Sequence, residues 1–264
     1  MAVLDLIPRP VMREAVRRAR PTRGQRLVEL GLLVVLYVAY SGSRLLASDD
    51  LGAAQDNARA LVRWERAWHL DVERTVEGWF LHVPALGLAG SYYYATAHYL
   101  VTLVVVVWLH RRGGSAYLRS RNALVVATVA GLVCYLLLPV APPRLAGLGH
   151  ADVMEAYAAS GWWGGQASAP RGLGEYTNEL AAMPSLHAGW ALWVLLAVAA
   201  AGAPVLVRRL ALAHVLLTAV VVVGTGNHWV VDVLAGWLLV GAAAYVVGLL
   251  GRGRRSAPPM PASD

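Results

Sequence analysis

Lysine is absent from this chain, so all 23 basic residues are arginine, opposed by 16 acids for a formal net charge of +7. Charged residues of both signs make up only 15% of the 264 positions, against 58% hydrophobic. An ordinary soluble domain carries roughly 25% charge, so this chain is too poor in polar groups to cover a water-facing surface in the usual way. A net positive charge marks a nucleic-acid partner only when it is gathered on one surface. Here the arginines sit between long apolar runs, which excludes a typical DNA-binding protein and leaves no nucleic acid among the expected partners. The single cysteine, Cys134, excludes an intramolecular disulfide and any multi-cysteine zinc or iron–sulfur centre.

What the chain has instead is apolar runs. Hydropathy predicts spans near residues 27–47, 87–109, 122–140, 184–203, 208–225 and 229–250, each close to the ~20 residues that a bilayer core requires. No Asp, Glu or Arg occurs from Asn122 to Pro143, from Leu180 to Val207 or from Val233 to Gly251. The first span is weakest, because Glu29 and Arg44 bracket it and must snorkel to the interfaces. A cleaved signal peptide is the rival reading there, disfavoured by the length of the run and by the lack of a small-x-small cleavage site. The expected architecture is an all-α, polytopic membrane bundle of six helices. A basic N-terminal segment, residues 1–26, would precede the membrane domain, residues 27–250, and a disordered tail, residues 251–264, would follow it.

Arginine placement orients this bundle. With the N-terminus cytoplasmic, the inner segments hold 16 of the 23 arginines: seven before the first span, four from Arg111 to Arg121, then Arg208 and Arg209, then Arg252, Arg254 and Arg255. The outer segments hold the other seven arginines together with eleven acids. The positive-inside bias puts both termini in the cytoplasm and the two long loops outside. The first of these loops spaces Leu61, Trp64, Trp68, Val72, Val76 and Trp79 by threes and fours, which predicts interfacial helices with tryptophans at headgroup depth. The second, residues 141–183, is rich in Gly, Pro and Ala and too long for a simple connector.

Three outer segments carry polar chemistry. His228 precedes Asp232 by four residues at the start of the sixth span, a spacing that on a helix lets the carboxylate orient one ring nitrogen and aim the other outward as a nucleophile. An acid at that depth is functional by default, although a structural His–Asp pair is the bland alternative. Pro184, Ser185 and His187 open the fourth span, where proline suits a first helical turn and free N–H groups suit an anion. Arg144, after Pro142 and Pro143, stands at the exit of the third span, placed to clamp phosphate oxygens or simply a lipid headgroup. Odd spans end outside and even spans begin outside, so all three segments share one rim. Two histidines, a carboxylate and a cation form a minimal set for in-line phosphoryl transfer.

Pro184-Ser185-Leu186-His187 followed by His228-x-x-x-Asp232-x-x-Ala235-Gly236 resembles the type 2 phosphatidic acid phosphatase superfamily, within it the inositol phosphorylceramide synthase-like branch, over about residues 85–250. The resemblance implies a six-helix bundle and a phosphohistidine intermediate, with His228 as nucleophile, Asp232 as its orienter, and His187 as acid and then base. It also places Arg144 in a phosphate-binding segment. Four positions depart from the pattern: Val221 and Val222 stand where many phosphatase members have Ser-Arg, Leu145 replaces a proline, and the lysine of the first motif is missing. Two cations are lost, which favours a diester headgroup donor over a phosphomonoester dianion unless Arg171 compensates.

The expected site is therefore His187, His228 and Asp232 as catalytic groups, with Arg144, Ser185, Arg171 and Asn227 around the phosphate and Tyr94, His98 and Asn178 as substrate contacts. No metal or other cofactor is expected, although His187, His228 and Asp232 have the ligand chemistry of a zinc site. Ser48-Asp49-Asp50 with Asp56 is too loosely spaced for a magnesium motif and reads as a helix cap. The expected activity is that of a membrane phosphatase or phosphotransferase acting on a phospholipid or polyprenyl phosphate in the bilayer, at the extracytoplasmic face. A noncatalytic lipid-binding or lipid-moving protein is the alternative. The lack of lysine fits a GC-rich genome, hence a bacterial plasma membrane. Oligomeric state is not encoded in any feature of the sequence.

Overall fold

The computed structural model describes residues 50–164 and 178–253, with isolated helical positions between residues 24 and 42. The expected first span, residues 27–47, lies mostly outside the described residues, as do Arg171, most of the 1–26 segment and the tail from residue 254. Among the described residues there is no strand; an isolated bridge joins Val140 and Ala181.

Two amphipathic helices follow residue 50. Helix α1 (Leu51–Ala67) is capped by Asp50, whose carboxylate accepts from Ala53 N–H at 2.9 Å. Helix α2 (Glu73–His82) follows a short turn. Of the stripe read from the sequence, Trp64, Trp68, Val72 and Trp79 are exposed, whereas Leu61 and Val76 pack inward against buried side chains. The inward face of α1 is a different stripe, Ala54, Ala58, Val62 and Glu65, whose small side chains let the helix approach the loops at one end of the bundle.

The remaining long helices are α3 (Pro84–Arg112), α4 (Gly114–Leu137), α5 (Leu186–Ala200), α6 (Val205–Gly224) and α7 (Val230–Gly253). Of these, α3, α4, α6 and α7 are long and apolar enough to cross a membrane. Their outward side chains, among them Leu103, Leu210 and Leu238, are exposed hydrocarbon, which suits contact with lipid rather than water. Helix α4 begins at Gly114, well before the predicted residue 122, because the glycines Gly113 and Gly114, both with positive φ, turn the chain in two residues. Arg119 and Arg121 therefore ride on the helix instead of on a loop.

Helix α5 is the hub, touching α3, α4, α6 and α7. It is apolar but only 15 residues long, about 22 Å at 1.5 Å per residue. Its inward residues Trp193, Val194, Ala197 and Val198 meet Val105 and Leu109 of α3, Tyr117 and Ala127 of α4, Ala211 of α6 and Val240 of α7 in an apolar core away from the site. At the other end, Gly236 of α7 sits so close to α5 that a Cβ there would lie 2.2 Å from the Ser185 carbonyl oxygen. That glycine sets how near the two histidine-bearing segments come.

Candidate active site

The residues singled out at the rim converge. Helix α5 starts at Leu186 with Ser185 as its cap, the buried hydroxyl oxygen accepting from Ala188 N–H at 3.3 Å. Pro184 thus precedes the helix and does not occupy its first turn; its carbonyl accepts from Tyr135 Oη at 2.7 Å, and Ser185 N–H donates to the Asp232 carbonyl at 2.9 Å. His187 then stands on the first turn of α5, against the segment that leads into α7.

His228 lies two residues before α7, so the expected helical i to i+4 pairing with Asp232 is replaced by a capping geometry. The Asp232 carboxylate reaches back to accept from Trp229 N–H at 2.8 Å, the same oxygen standing 3.4 Å from His228 Nδ1. The nearer partner of that nitrogen is the Ala182 carbonyl at 2.9 Å. A carbonyl only accepts, so Nδ1 carries the proton and the neutral ring presents its lone pair on Nε2. That Nε2 faces His187 Nδ1 at 3.4 Å, with ring centroids 5.5 Å apart. Tyr94 stacks on His187 at 4.5 Å and 24°, and the buried His98 lies against it at 4.0 Å. Tyr93, Tyr94, His98, Thr218, Val221 and Val222 pack around His187 and leave no room there for a water molecule.

Two imidazole nitrogens 3.4 Å apart are in contact. A phosphorus atom about 3 Å from one, with its leaving oxygen in hydrogen-bond reach of the other, requires a separation of about 6 Å. Access to His228 Nε2 therefore needs His187 to move aside.

Arg144 is brought beside the site but faces acids. Its Nε donates to Asn227 Oδ1 at 3.0 Å, one Nη to Glu179 at 3.0 Å, and the other lies 3.4 Å from Asp152 and 3.5 Å from Glu179. The side chain is only 4% exposed. The guanidinium fork thus meets a carboxylate in the bidentate manner it would use for phosphate. Asn178 orders the same strip, its Oδ1 accepting from Leu180 N–H at 3.2 Å. Gly226, at φ +73°, lets the loop before His228 run against Ala151 and accept from Arg144 N–H. Val221 and Val222 are buried apolar side chains of α6, so no cation replaces the missing pair from that helix. Of the other acids considered, Asp50 is the α1 cap and Asp56 pairs with Arg59. Among the described residues no three His, Cys, Asp or Glu side chains converge as a metal-binding set.

The sequence reading missed several groups. The buried acids Glu65 and Glu73, from α1 and α2, accept from Val231 N–H at 2.8 Å and Val230 N–H at 3.0 Å. Glu77 meets His150 Nδ1 at 3.0 Å, and that ring packs edge-on against Trp229. Desolvation and the neighbouring Glu73 push the Glu65 carboxyl up to about 8, and burial raises Glu73 as well. The available signal was position: Glu65 falls on the small-residue stripe of Ala54, Ala58 and Val62, and Glu73 and Glu77 share one helical face.

Four apolar helices of membrane-crossing length fit a multi-pass helical membrane protein, one end of which brings two imidazoles and a buried aspartate together. A family model described as the PAP2 superfamily matches residues 59–246, and the chain belongs to that superfamily. The match begins inside α1, further toward the N-terminus than the resemblance over residues 85–250, so it takes in the second part of α1 and all of α2. Membership supports a phosphatase-type enzyme acting on lipid phosphoesters in a bilayer. The chain has no match among curated proteins or among solved structures.

Proposed function

We propose that the chain is a lipid phosphatase or phosphotransferase that works through phosphorylated His228. The observation that carries this reading is the tautomer: the Ala182 carbonyl holds the proton on Nδ1, which leaves Nε2 a free base directed at His187. His228 Nε2 attacks phosphorus as the bond to the departing alkoxide breaks, and His187, protonated, supplies that alkoxide's proton. Neutral His187 then takes the proton of the acceptor hydroxyl, which attacks the phosphohistidine and restores His228. Water as acceptor gives hydrolysis; a lipid or polyol hydroxyl gives transfer. Asp232 and Ala182 stabilise positive charge on the His228 ring, and the N-terminus of α5 at Ser185 and His187 favours anionic oxygen.

Charge favours a diester donor. Val221 and Val222 contribute no cation, and Arg144 is already opposed by Glu179 and Asp152, so a monoanionic diester is less under-neutralised here than a monoester dianion. That supports the inositol phosphorylceramide synthase-like branch and a headgroup-transferring reaction. The topology we assign has six spans, α1 and α2 in the interface with their tryptophans outward, both termini cytoplasmic and the rim extracytoplasmic in a bacterial plasma membrane. The arginine asymmetry and the exposed Trp64, Trp68 and Trp79 support it. Within that frame, residues 27–250 form one membrane domain.

Purified protein offered labelled phosphatidic acid, a polyprenyl diphosphate and phosphatidylinositol tests the reading. Turnover of at least one, abolished in His228→Ala, is the expected result; no turnover of any, or activity that survives the substitution, ends it. The closed imidazole pair and the carboxylate-filled Arg144 give a second reading some weight, a noncatalytic protein that binds a lipid headgroup. It predicts that His228→Ala lowers headgroup affinity in a chain with no turnover to lose.

A further inference from the structure

Three consecutive backbone N–H groups follow His228 into α7, and each is held by a carboxyl group. Trp229 N–H is bound by Asp232, Val230 N–H by Glu73 and Val231 N–H by Glu65, at 2.8, 3.0 and 2.8 Å. Such N–H groups have no partner within their own helix and ordinarily attract an anion or water. Here they are closed by acids from three elements: Glu65 from α1, Glu73 from α2 and Asp232 from α7 itself. All three side chains are at most 2% exposed. These bonds also fasten the two amphipathic helices to the one segment that carries His228.

Three buried carboxylates at one helix end repel one another, and the macrodipole offsets only part of that cost. The second oxygen of Glu65 has no hydrogen-bond partner, and Glu73 and Asp232 lie near enough to repel a charge on its carboxyl. A proton on that oxygen of Glu65 relieves the repulsion, while the other oxygen still accepts from Val231 N–H. The groups facing the pair are Asp232 from α7 and His150 from the following loop, the latter bound to Glu77 of α2.

We propose that Glu65 and Glu73 are positioning residues for His228: a proton held on Glu65 lets them clamp the first turn of α7, and losing it loosens the turn that aims the imidazole. The inference rests on His228 as the reacting base, although its spectroscopic test does not. Neither glutamate is hydrogen-bonded to His187 or His228, so both act through the backbone of residues 230 and 231.

The full chain in nanodiscs, its histidines labelled with ¹⁵N, provides the test, the His228 signals being those lost in His228→Gln. Glu65→Gln keeps an oxygen for Val231 N–H and is permanently neutral; Glu65→Ala removes the acceptor. The expected result is a His228 titration displaced in Glu65→Gln and Glu73→Gln relative to the unsubstituted chain. With labelled phosphatidic acid or phosphatidylinositol, whichever is turned over, Glu65→Ala should lower kcat by about tenfold or more with KM nearly constant. Glu65→Gln should restore kcat near neutral pH and move the alkaline limb of the rate profile upward. An unchanged His228 titration in both Gln variants overturns the proposal, as does a Glu65→Ala loss that tracks thermal unfolding with the pH profile intact. If Glu65→Ala fails to fold, the two Gln variants decide. Activity that survives His228→Ala would sink the phosphohistidine reading instead, while the histidine titration would still report on the clamp.

Discussion

The two ends of the bundle are held together by different forces. At the end away from the site, Leu109, Trp193, Val198 and Val240 pack an apolar core in which the main polar contact is Trp193 Nε1–H donating to the Ser120 carbonyl at 2.7 Å. At the rim, the tightly buried set includes Glu65, Glu73, Glu77, Ser185, Asn227, His228 and Asp232, joined by side-chain to backbone hydrogen bonds. An apolar core depends on volume and is nearly blind to pH. A buried carboxylate network depends on protonation and on every partner being present. The far end should therefore set how stable the fold is, and the rim should set where charge and protons go.

The sharpest separation comes from removing His228, which on the proposed reading is required for chemistry and contributes little packing at the far end. His228→Ala should cut turnover by more than about 10³-fold, while detergent-solubilised protein keeps its helical circular dichroism and nearly its melting temperature. Retained turnover would break the distinction between the ends. Trp193→Ala is the converse experiment. Loss of a fully buried indole should destabilise by about 3–5 kcal/mol, read as a lower melting temperature, with kcat per folded molecule unchanged; a rate loss at constant stability would count against it.

A third test uses pH. Glu65 rises from an ordinary 4.5 to about 8 on burial, so its folded pKa exceeds its unfolded one. Its contribution to stability is full below about 4.5 and is lost as pH climbs toward about 8. The unsubstituted chain should melt at falling temperature across that window, and Glu65→Gln should flatten the decline; parallel curves would mean that Glu65 does not carry the dependence. The smallest effect is expected at Arg144. Glu179→Gln weakens the ion pair that occupies the guanidinium, so KM for an anionic lipid should drop a few-fold with kcat little changed. A rise in KM would show that the pair serves to hold the site open rather than to compete with phosphate.

These contrasts bear on what the amino-acid order reveals. The spans at 87–109, 208–225 and 229–250 were readable to within a few residues, because a bilayer imposes a long apolar run whatever the neighbours are. The α4 start was not, because a pair of glycines turned the chain and let a polar, arginine-bearing stretch join the helix. His187, His228 and Asp232 were legible as a set, since topology alone brings them to one end. Their hydrogen bonds were not: the nearest partner of His228 is a backbone carbonyl, at Ala182, which no side-chain spacing announces. Arg144 was visible as a cation near phosphate chemistry, but its neutralisation by Glu179 and Asp152 depends on how the second loop folds back. Glu65 and Glu73 escaped for a related reason. Tryptophans dominate the pattern of α1 and α2, and the functionally interesting face is the quieter one of alanine, valine and glutamate.

The central claim is that His228 Nε2 becomes bonded to phosphorus. Protein mixed with ³²P-labelled lipid, quenched in base within the turnover time and digested should yield label on the peptide containing His228, stable in alkali and lost in acid, and absent from His228→Ala. Label on another residue, or turnover with none trapped on His228, would contradict it.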